Sequence, residues 1–576
     1  MKTADKTVQR CGGGWRSIFI LVCLLVIPVT LVEIRVLYLQ LIDREFLTAQ
    51  GDDRHIRTVQ MSAHRGSIVD RHGEPLAVST PVDSIWVNPG ELVPELERLD
   101  ELAAVLELDP NQLARRITSN IDREFVYLRR HIAPARAAAV LSLGIPGVRS
   151  QREFRRYYPA GEVTGHVLGF TDIDDRGQEG LELAFDHWLA PDIGRKRVVQ
   201  DGLGRVIVDV EQIRPARDGN PLRTSIDLRL QYLAYRELKR AVAENGAESG
   251  SVVILDPTSG EVLAIANQPT YNPNDRSQLD VARYRNRATT DILEPGSSFK
   301  PFILAAALES GLYTPDSLVD TSPGILRVNG RVLTEDNSNL GVIDVTTVLA
   351  RSSNVGAAHI ALSLDPLSLW QVLSAFGIGR LTDSSFPGES SGVLNDPQHW
   401  RSIGHATLAY GYGLSVTALQ LARAYSAIAS GGVLRSVSFV TLDEPPPGQR
   451  IVSESTAEEL MDMLQAVVRP GGTARRAAVA NYTIAGKTGT ARKSGVGGYL
   501  EDRYTAVFGG IAPASDPRLV VVVVINDPRS GAYYGGEVAA PVFARIAEGA
   551  LRQLAIPPDA LAEPPVSIIA SARVDP

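Results

Sequence analysis

The segment Leu519–Asn526 reads LVVVVVIN, with five consecutive valines. In an extended chain successive side chains point to opposite faces, so an unbroken apolar run buries both faces. Such a strand belongs at the centre of a sheet that is covered on both sides. It therefore demands flanking strands and covering layers within one sizeable domain. Two strands are expected just before it, at Tyr482–Gly486 and Thr505–Ala512, and a long helix from about Val538 to Leu554 after it. Upstream, Thr224-Ser225-Ile226-Asp227 opens an amphipathic helix to about Glu244, with Leu230, Leu233, Leu238 and Val242 toward the core. A hairpin follows, Val252–Leu255 and Val262–Ala266 around the turn Asp256–Gly260. From there to about Gly432 the pattern is largely helical. Helix, two strands, a helical block, three strands and a helix predict an α+β fold with a helical insert.

A chain of 576 residues exceeds what one core can hold. A polar linker near Arg214–Arg223 precedes the first helix of this domain and marks a boundary. Residues 43–220 are mixed in character and carry two islands, Arg65-Gly66-Ser67-Ile68-Val69-Asp70-Arg71-His72-Gly73 and Arg156–Gly161 followed by His166 and GQEGLE at 177–182. Neither holds a nucleophile–base pair. Turn glycines, arginine–carboxylate pairs and a structural His166 are expected there. The charge balance, 66 carboxylates against 58 lysines and arginines, gives no basic block for nucleic acid. Both cysteines, Cys11 and Cys23, lie at the N-terminus, which excludes a disulfide framework and a cysteine-ligated metal. The nine histidines are scattered, and no metal or cofactor is expected.

Ser17–Val32 carries no charge, and Val36, Leu37, Leu39, Leu41 and Ile42 prolong its apolar character. Lys2, Lys6, Arg10 and Arg16 precede it. No small-x-small cleavage site follows, so residues 17–42 are expected to be an uncleaved anchor with a cytoplasmic tail at 1–16 and the bulk exported.

The chemistry concentrates in three islands. The first, Asp291–Ala306, runs a Glu-Pro-Gly turn into Ser-Ser-Phe-Lys and an alanine-rich buried helix. Ser297 and Lys300 are three residues apart and share one helical face in the first turn. A desolvated lysine can take a serine hydroxyl's proton, and free N–H groups at a helix start suit an oxyanion. Alone, S-x-x-K is a weak signal that fits a capping serine and a solvated lysine. Its company changes that: Ser352-Ser353-Asn354 lies in a loop between two helical runs, and Lys487-Thr488-Gly489-Thr490 ends the apolar YTIAG strand. G-K-T also closes phosphate-binding loops, but the glycine required there falls at Asn481.

S-x-x-K, S-x-N and K-T-G in this order resemble the penicillin-recognising serine acyltransferases. The anchor, RGSIVDRHGEPLA, RRYYPAGEVTGHVLGF, GRVI at 204–207, EPGSSFKP, RSSNVG, YGYGLSVTALQLARAY and GKTGTA extend the resemblance over nearly the whole chain, to class B penicillin-binding proteins of the division type. The resemblance implies a pedestal at 43–220, a transpeptidase domain at 221–555 (an antiparallel sheet sandwiched by helices, with a helical subdomain) and a loose tail at 556–576. It implies Ser297 as nucleophile, Lys300 as general base, and Ser352 and Asn354 as proton relay and donor-peptide holders. Lys487 and Thr488 would bind the substrate carboxylate, and the N–H groups of Ser297 and Thr490 would form the oxyanion hole. Gly489, without a side chain, would let an extended peptide lie against the strand. Implied partners are pentapeptide stems, β-lactams, a polytopic glycan polymerase of the FtsW type and other division proteins, at the inner membrane with the catalytic part periplasmic. An elongation-type paralogue, a water-using β-lactamase or carboxypeptidase, and a non-catalytic division scaffold are the alternatives. Ser353, where lactamases carry Asp, disfavours the lactamase.

Overall fold

The computed structural model describes residues 14–45, 56–92, 97–200, 206–277, 280–335, 339–495 and 497–561. The expected tail at 1–16, the Gly204-Arg205 end of GRVI and residues 562–576 fall mostly or wholly outside them. The apolar run is one helix, α1 (Gly14–Leu41), with Pro28 inside. Within its 24-residue stretch Ile18–Leu41, an 18-residue segment reaches a mean hydropathy of 2.5. At 1.5 Å per residue, α1 is ~42 Å long, enough to cross a hydrocarbon core. It starts three residues before the expected Ser17 and absorbs Glu33 and Arg35, whose charges can reach an interface.

The chain forms two compact units. The first takes α1 together with 83–153 and 192–217. In it β1 (Ile56–Met61) pairs antiparallel with β2 (Gly194–Gln200), which pairs with β3 (Val206–Arg214). Elsewhere in this unit, Asp83–Val87 pairs with Val126–Ile132 over a small core that includes Ile85, Leu102, Leu106, Leu113 and Leu128.

The second unit joins 64–82 and 154–191 to the chain from Asp218 onward. Both islands of the expected pedestal lie here. Arg65 is buried, with Nε 2.7 Å from Glu182 Oε2 and Nη1 2.7 Å from Asp186 Oδ1. Arg156 Nε meets the other Glu182 oxygen at 2.6 Å. His166 is buried, with Nε2 2.7 Å from the Arg283 carbonyl, and burial pulls its ring down to about 4. These are structural roles, as the sequence predicts.

The frame of this unit is a five-stranded antiparallel sheet. Its strands are β4 (Ser249–Leu255), β5 (Val262–Gln268), β6 (Ala485–Gly495), β7 (Gly498–Ala512) and β8 (Leu519–Asn526), in the order β5-β4-β8-β7-β6. The valine-rich β8 is the middle strand, and Leu519–Ile525 are buried throughout. Two adjacent glycines on β7 reveal both covering layers. A Cβ at Gly509 would lie 2.6 Å from the Tyr425 ring of the helix Ala418–Ala429. A Cβ at Gly510 would lie 2.5 Å from Phe543 on the helix Ala540–Gln553. Successive residues face opposite sides, so helices press on both faces so closely that only hydrogen fits.

Several boundaries differ from the sequence expectation, and the strand expected at Thr505–Ala512 begins seven residues earlier, at Gly498. The expected strand at 482–486 begins at Ala485 and runs to Gly495, so Lys487–Thr490 lie inside it. Pairing with Ile511 starts only at Ala485, after the left-handed turn residue Asn481. The closing helix breaks at Ala539, because Pro541 needs a first-turn position. The first residues of the expected tail are tied down: Asp559 accepts from Thr483 N–H at 2.7 Å, and Ala560 N–H donates to Asn481 O at 3.1 Å.

Candidate active site

Ser297 lies on a 3-10 turn, Gly296–Phe299, and Lys300 is the first residue of the helix Lys300–Glu309. The sequence expectation placed both in one α-helical turn. Pro301 takes the second position of the α-helix, within the first turn, where its missing N–H costs nothing. The 3-10 geometry still brings residues i and i+3 into line. The turn is clamped from three sides. Ser298 Oγ donates to Pro295 O at 2.7 Å, and buried Tyr425 donates its hydroxyl to Ser298 O at 2.8 Å. Gly296 adopts φ +58°, and a Cβ there would meet Thr490 backbone atoms at 2.9–3.1 Å. The peptide group that carries the Ser297 N–H therefore sits beside the backbone of Thr490.

The second island is set by a helix ending. After the helix Val345–Ala350, Ser352 N–H bonds Leu349 O at 3.1 Å and Ser353 N–H bonds Val348 O at 2.9 Å. This pair of bonds is a Schellman cap, in which the left-handed position normally holds glycine. Here Ser352 holds it, at φ +60°. Ser353 then caps the helix Asn354–Ser363, its Oγ accepting from Gly356 N–H at 2.8 Å.

The strained Ser352 projects between the side-chain nitrogens of two buried lysines. Lys300 Nζ lies 3.2 Å from Ser352 Oγ, 2.6 Å from Ser352 O and 2.9 Å from Asn354 Oδ1. Lys487 Nζ lies 3.0 Å from the same Ser352 Oγ and 3.1 Å from Thr488 Oγ1. Both lysine side chains are fully buried. One hydroxyl thus bridges the lysine beside the serine turn and the lysine of the strand. That arrangement can pass a proton along the Ser352 hydroxyl between the two amines.

Ser297, Ser352, Thr488 and Thr490 line one cleft of about 420 Å³. Lys487–Thr490 lie on β6, the edge strand of the sheet. Packing gives Gly489 a reason of its own. A Cβ there would lie 2.3 Å from Pro295 O and 2.9 Å from Ser298 Oγ. The missing side chain makes room for the serine turn itself. Thr490 Oγ1 accepts from Gly535 N–H at 2.9 Å.

Sequence reading missed several residues of the cleft. Glu335 holds the Ser352 loop, accepting from Ser353 Oγ and from Asn354 N–H at 2.9 Å and Val355 N–H at 3.3 Å. Thr473 hydrogen-bonds Thr488, Oγ1 to Oγ1, at 3.1 Å. Arg351, Arg475, Arg476, Tyr534 and Glu537 also line the cleft. Only Arg351 had a signal, its place next to S-S-N.

A serine at a clamped turn, a lysine three residues on, a serine between two lysines and a K-T-G edge strand define a penicillin-recognising serine acyltransferase. The profile of the penicillin-binding protein transpeptidase domain matches residues 250–548, and that of the penicillin-binding protein dimerisation domain matches 60–224. The chain is 44% identical over 553 residues to peptidoglycan D,D-transpeptidase FtsI of Escherichia coli K12, covering 95% of this chain and 93% of that one. It is 41% identical over 548 residues to the probable peptidoglycan D,D-transpeptidase PbpC of Pseudomonas aeruginosa, covering 95% and 97%. Among solved structures, penicillin-binding protein 3 of Mycobacterium tuberculosis with aztreonam matches at TM-score 0.68 and 28% identity, covering 88% of this chain and all of that one. The transpeptidase domain of Burkholderia pseudomallei penicillin-binding protein 3 matches at TM-score 0.54 and 41% identity, covering 58% and 97%. The chain belongs to the FtsI-type peptidoglycan D,D-transpeptidases of the penicillin-binding protein family.

Proposed function

We propose that this protein cross-links peptidoglycan stem peptides at the division septum through an acyl-enzyme on Ser297. The observation that carries this reading is the Ser352 hydroxyl, held between Lys300 and Lys487 in the cleft that Ser297 lines. Ser297 Oγ attacks the penultimate D-alanine carbonyl, and its proton passes to Lys300. The N–H groups of Ser297 and Thr490 receive the oxyanion. Lys487 and Thr488 hold the terminal carboxylate. Collapse breaks the peptide bond, and the departing D-alanine amine takes the proton, with Ser352 and Asn354 bridging the transfer. An amine from a second stem then attacks the ester, freeing Ser297 and forming the cross-link. A β-lactam enters the same first step and leaves Ser297 acylated.

Residues 221–555 carry this chemistry, and 43–220 serve as a non-catalytic pedestal. The chain sits in the inner membrane with its basic N-terminus cytoplasmic and its catalytic part periplasmic. It works with a polytopic glycan polymerase and other division proteins. The length and apolarity of α1, the basic residues ahead of it and the FtsI relatives support this placement.

The test is labelling of the full chain with a fluorescent penicillin. Wild type should give a long-lived covalent band, and Ser297→Ala none. A band in both, or in neither, would sink the serine acyl-enzyme. Decay within minutes would assign a hydrolase instead.

A further inference from the structure

The cleft that holds Ser297 is lined by three exposed guanidinium groups, from Arg351, Arg475 and Arg476. No carboxylate oxygen of a described residue lies within 4.0 Å of any of them. Most buried or half-buried arginines of the same unit are committed to carboxylates: Arg65 and Arg156 to Glu182, Arg287 to Asp291, Arg545 to Glu237. The acidic lining residues do not neutralise the trio. Glu335 is occupied by the Ser353–Val355 loop, and Glu537 is outside ion-pair reach. In a chain of net charge −8, a local concentration of positive charge that no carboxylate among the described residues pairs calls for an anionic ligand.

The backbone that presents these arginines is firmly held. Arg475 and Arg476 sit on a 3-10 turn, Arg475–Ala477, flanked by fully buried Ala474 and Ala477. Just before it, Thr473 N–H donates to Ala350 O at 3.2 Å, and the Thr473 hydroxyl meets Thr488 at 3.1 Å. A Cβ at Gly472 would fall 2.1 Å from Val467 O, and one at Gly536 would fall 2.4 Å from Thr473 O. The turn is therefore keyed both to the K-T-G strand and to the last residue of the helix Val345–Ala350, two positions before Ser352. Arg351 is the residue immediately before that serine. Guanidinium groups on such a base favour planar, doubly accepting anions, and a carboxylate is the match.

We infer that Arg351, Arg475 and Arg476 form a second anion subsite that binds a carboxylate of the donor stem peptide upstream of its D-Ala–D-Ala end. This rests on the transpeptidase reading, which gives the terminal carboxylate to Lys487 and Thr488. In a stem peptide whose second residue is a γ-linked D-glutamate, a free α-carboxylate lies about three residues back, a span of roughly 10 Å when extended. A simple penicillin, with its one carboxylate taken by Lys487 and Thr488, has no counterpart to that group. The subsite therefore favours full-length donors over small acylating agents, and it makes recognition of the natural peptide sensitive to ionic strength.

The experiment follows acylation of the detergent-solubilised full chain by fluorescent penicillin in the presence of two competing pentapeptides. One carries its upstream carboxylates free, and the other has them amidated with the terminal carboxylate intact. Half-protection by the free acid is expected at about tenfold lower concentration than by the amide, shrinking toward parity at high salt. In Arg475→Ala/Arg476→Ala the ratio should fall to about one, and in Arg475→Lys/Arg476→Lys it should partly return. Misfolding is read separately, as a lowered melting temperature of the variant. Equal protection in wild type, no protection by either peptide, or a ratio unchanged in the alanine variant would overturn the subsite. If penicillin still acylates wild type in those cases, the serine chemistry stands. Failure of penicillin to acylate wild type would remove the transpeptidase reading itself.

Discussion

Ser352 occupies a left-handed backbone position at φ +60°, where glycine would be less strained. Glycine there would relieve the backbone and remove the hydroxyl that bridges Lys300 and Lys487. Function thus holds a residue that local geometry disfavours. Ser352→Gly is expected to keep or raise thermal stability while lowering the penicillin acylation rate by about 10²-fold, the scale of a lost proton-transfer group. Glu335 acts one step back, as a positioning residue for this loop. Glu335→Ala leaves Ser353 Oγ and two backbone N–H groups without their acceptor, a cost of about 1–3 kcal/mol. Acylation should slow about tenfold, with partial recovery in Glu335→Gln, which keeps one acceptor oxygen. Equal loss in Ala and Gln variants would argue against positioning by these hydrogen bonds. Gly489→Ala drives a methyl to within 2.3 Å of the Pro295 carbonyl. The serine turn must move, so both melting temperature and acylation rate should fall. A normal acylation rate would show that the turn tolerates displacement.

At the scale of elements, β6 and the 3-10 turn form one device. The strand is the sheet's edge, and it brings Lys487–Thr490 against the turn that carries Ser297. A strand ending at Gly486, as the apolar run suggested, would have left K-T-G in a loop without this register. Its ladder with β7, Lys487 opposite Gly509 and Thr488 opposite Phe508, fixes which side chains face the cleft. At the other end of the chain, α1 carries its own function. Removal of residues 1–42 should release the protein into the soluble fraction while penicillin labelling persists. In spheroplasts, added protease should digest the catalytic part and spare a tag at the N-terminus. The reverse pattern would invert the proposed orientation.

At the scale of the molecule, the second unit is knit by ionic groups from distant parts of the sequence. Asp227 caps the helix Leu228–Glu244, and its buried side chain meets His72 at 3.1 Å and Arg229 at 2.7 Å. Burial pushes this carboxyl up, but hydrogen bonds from Arg229 and His72, with the Arg229 charge, outweigh it and hold it at about 2. The folded value lies below the ordinary 3.8, so the ionised form is the one that stabilises. That contribution, about 2 kcal/mol, is fully present above about pH 4 and is lost as pH falls through about 2. Asp227→Asn should lower the melting temperature at neutral pH and flatten its decline across that acid window. A parallel decline in both proteins would place the acid sensitivity elsewhere.

The sequence by itself determined the central strand, the anchor helix and the three chemical islands. Each is a local matter: a valine run buries both faces wherever it lies, and residues three or fewer apart share a turn. It also marked Arg65, Arg156 and His166 as structural. Only the tertiary structure decided that residues 64–82 and 154–191 join the catalytic unit, that Glu335 supports the Ser352 loop, and that Gly489 yields space to Pro295. The same holds for the meeting of Lys300 and Lys487 on one hydroxyl, and for the three arginines around the cleft. These are contacts between residues tens to hundreds of positions apart. Their geometry depends on sheet order and register, which no single stretch of chain encodes.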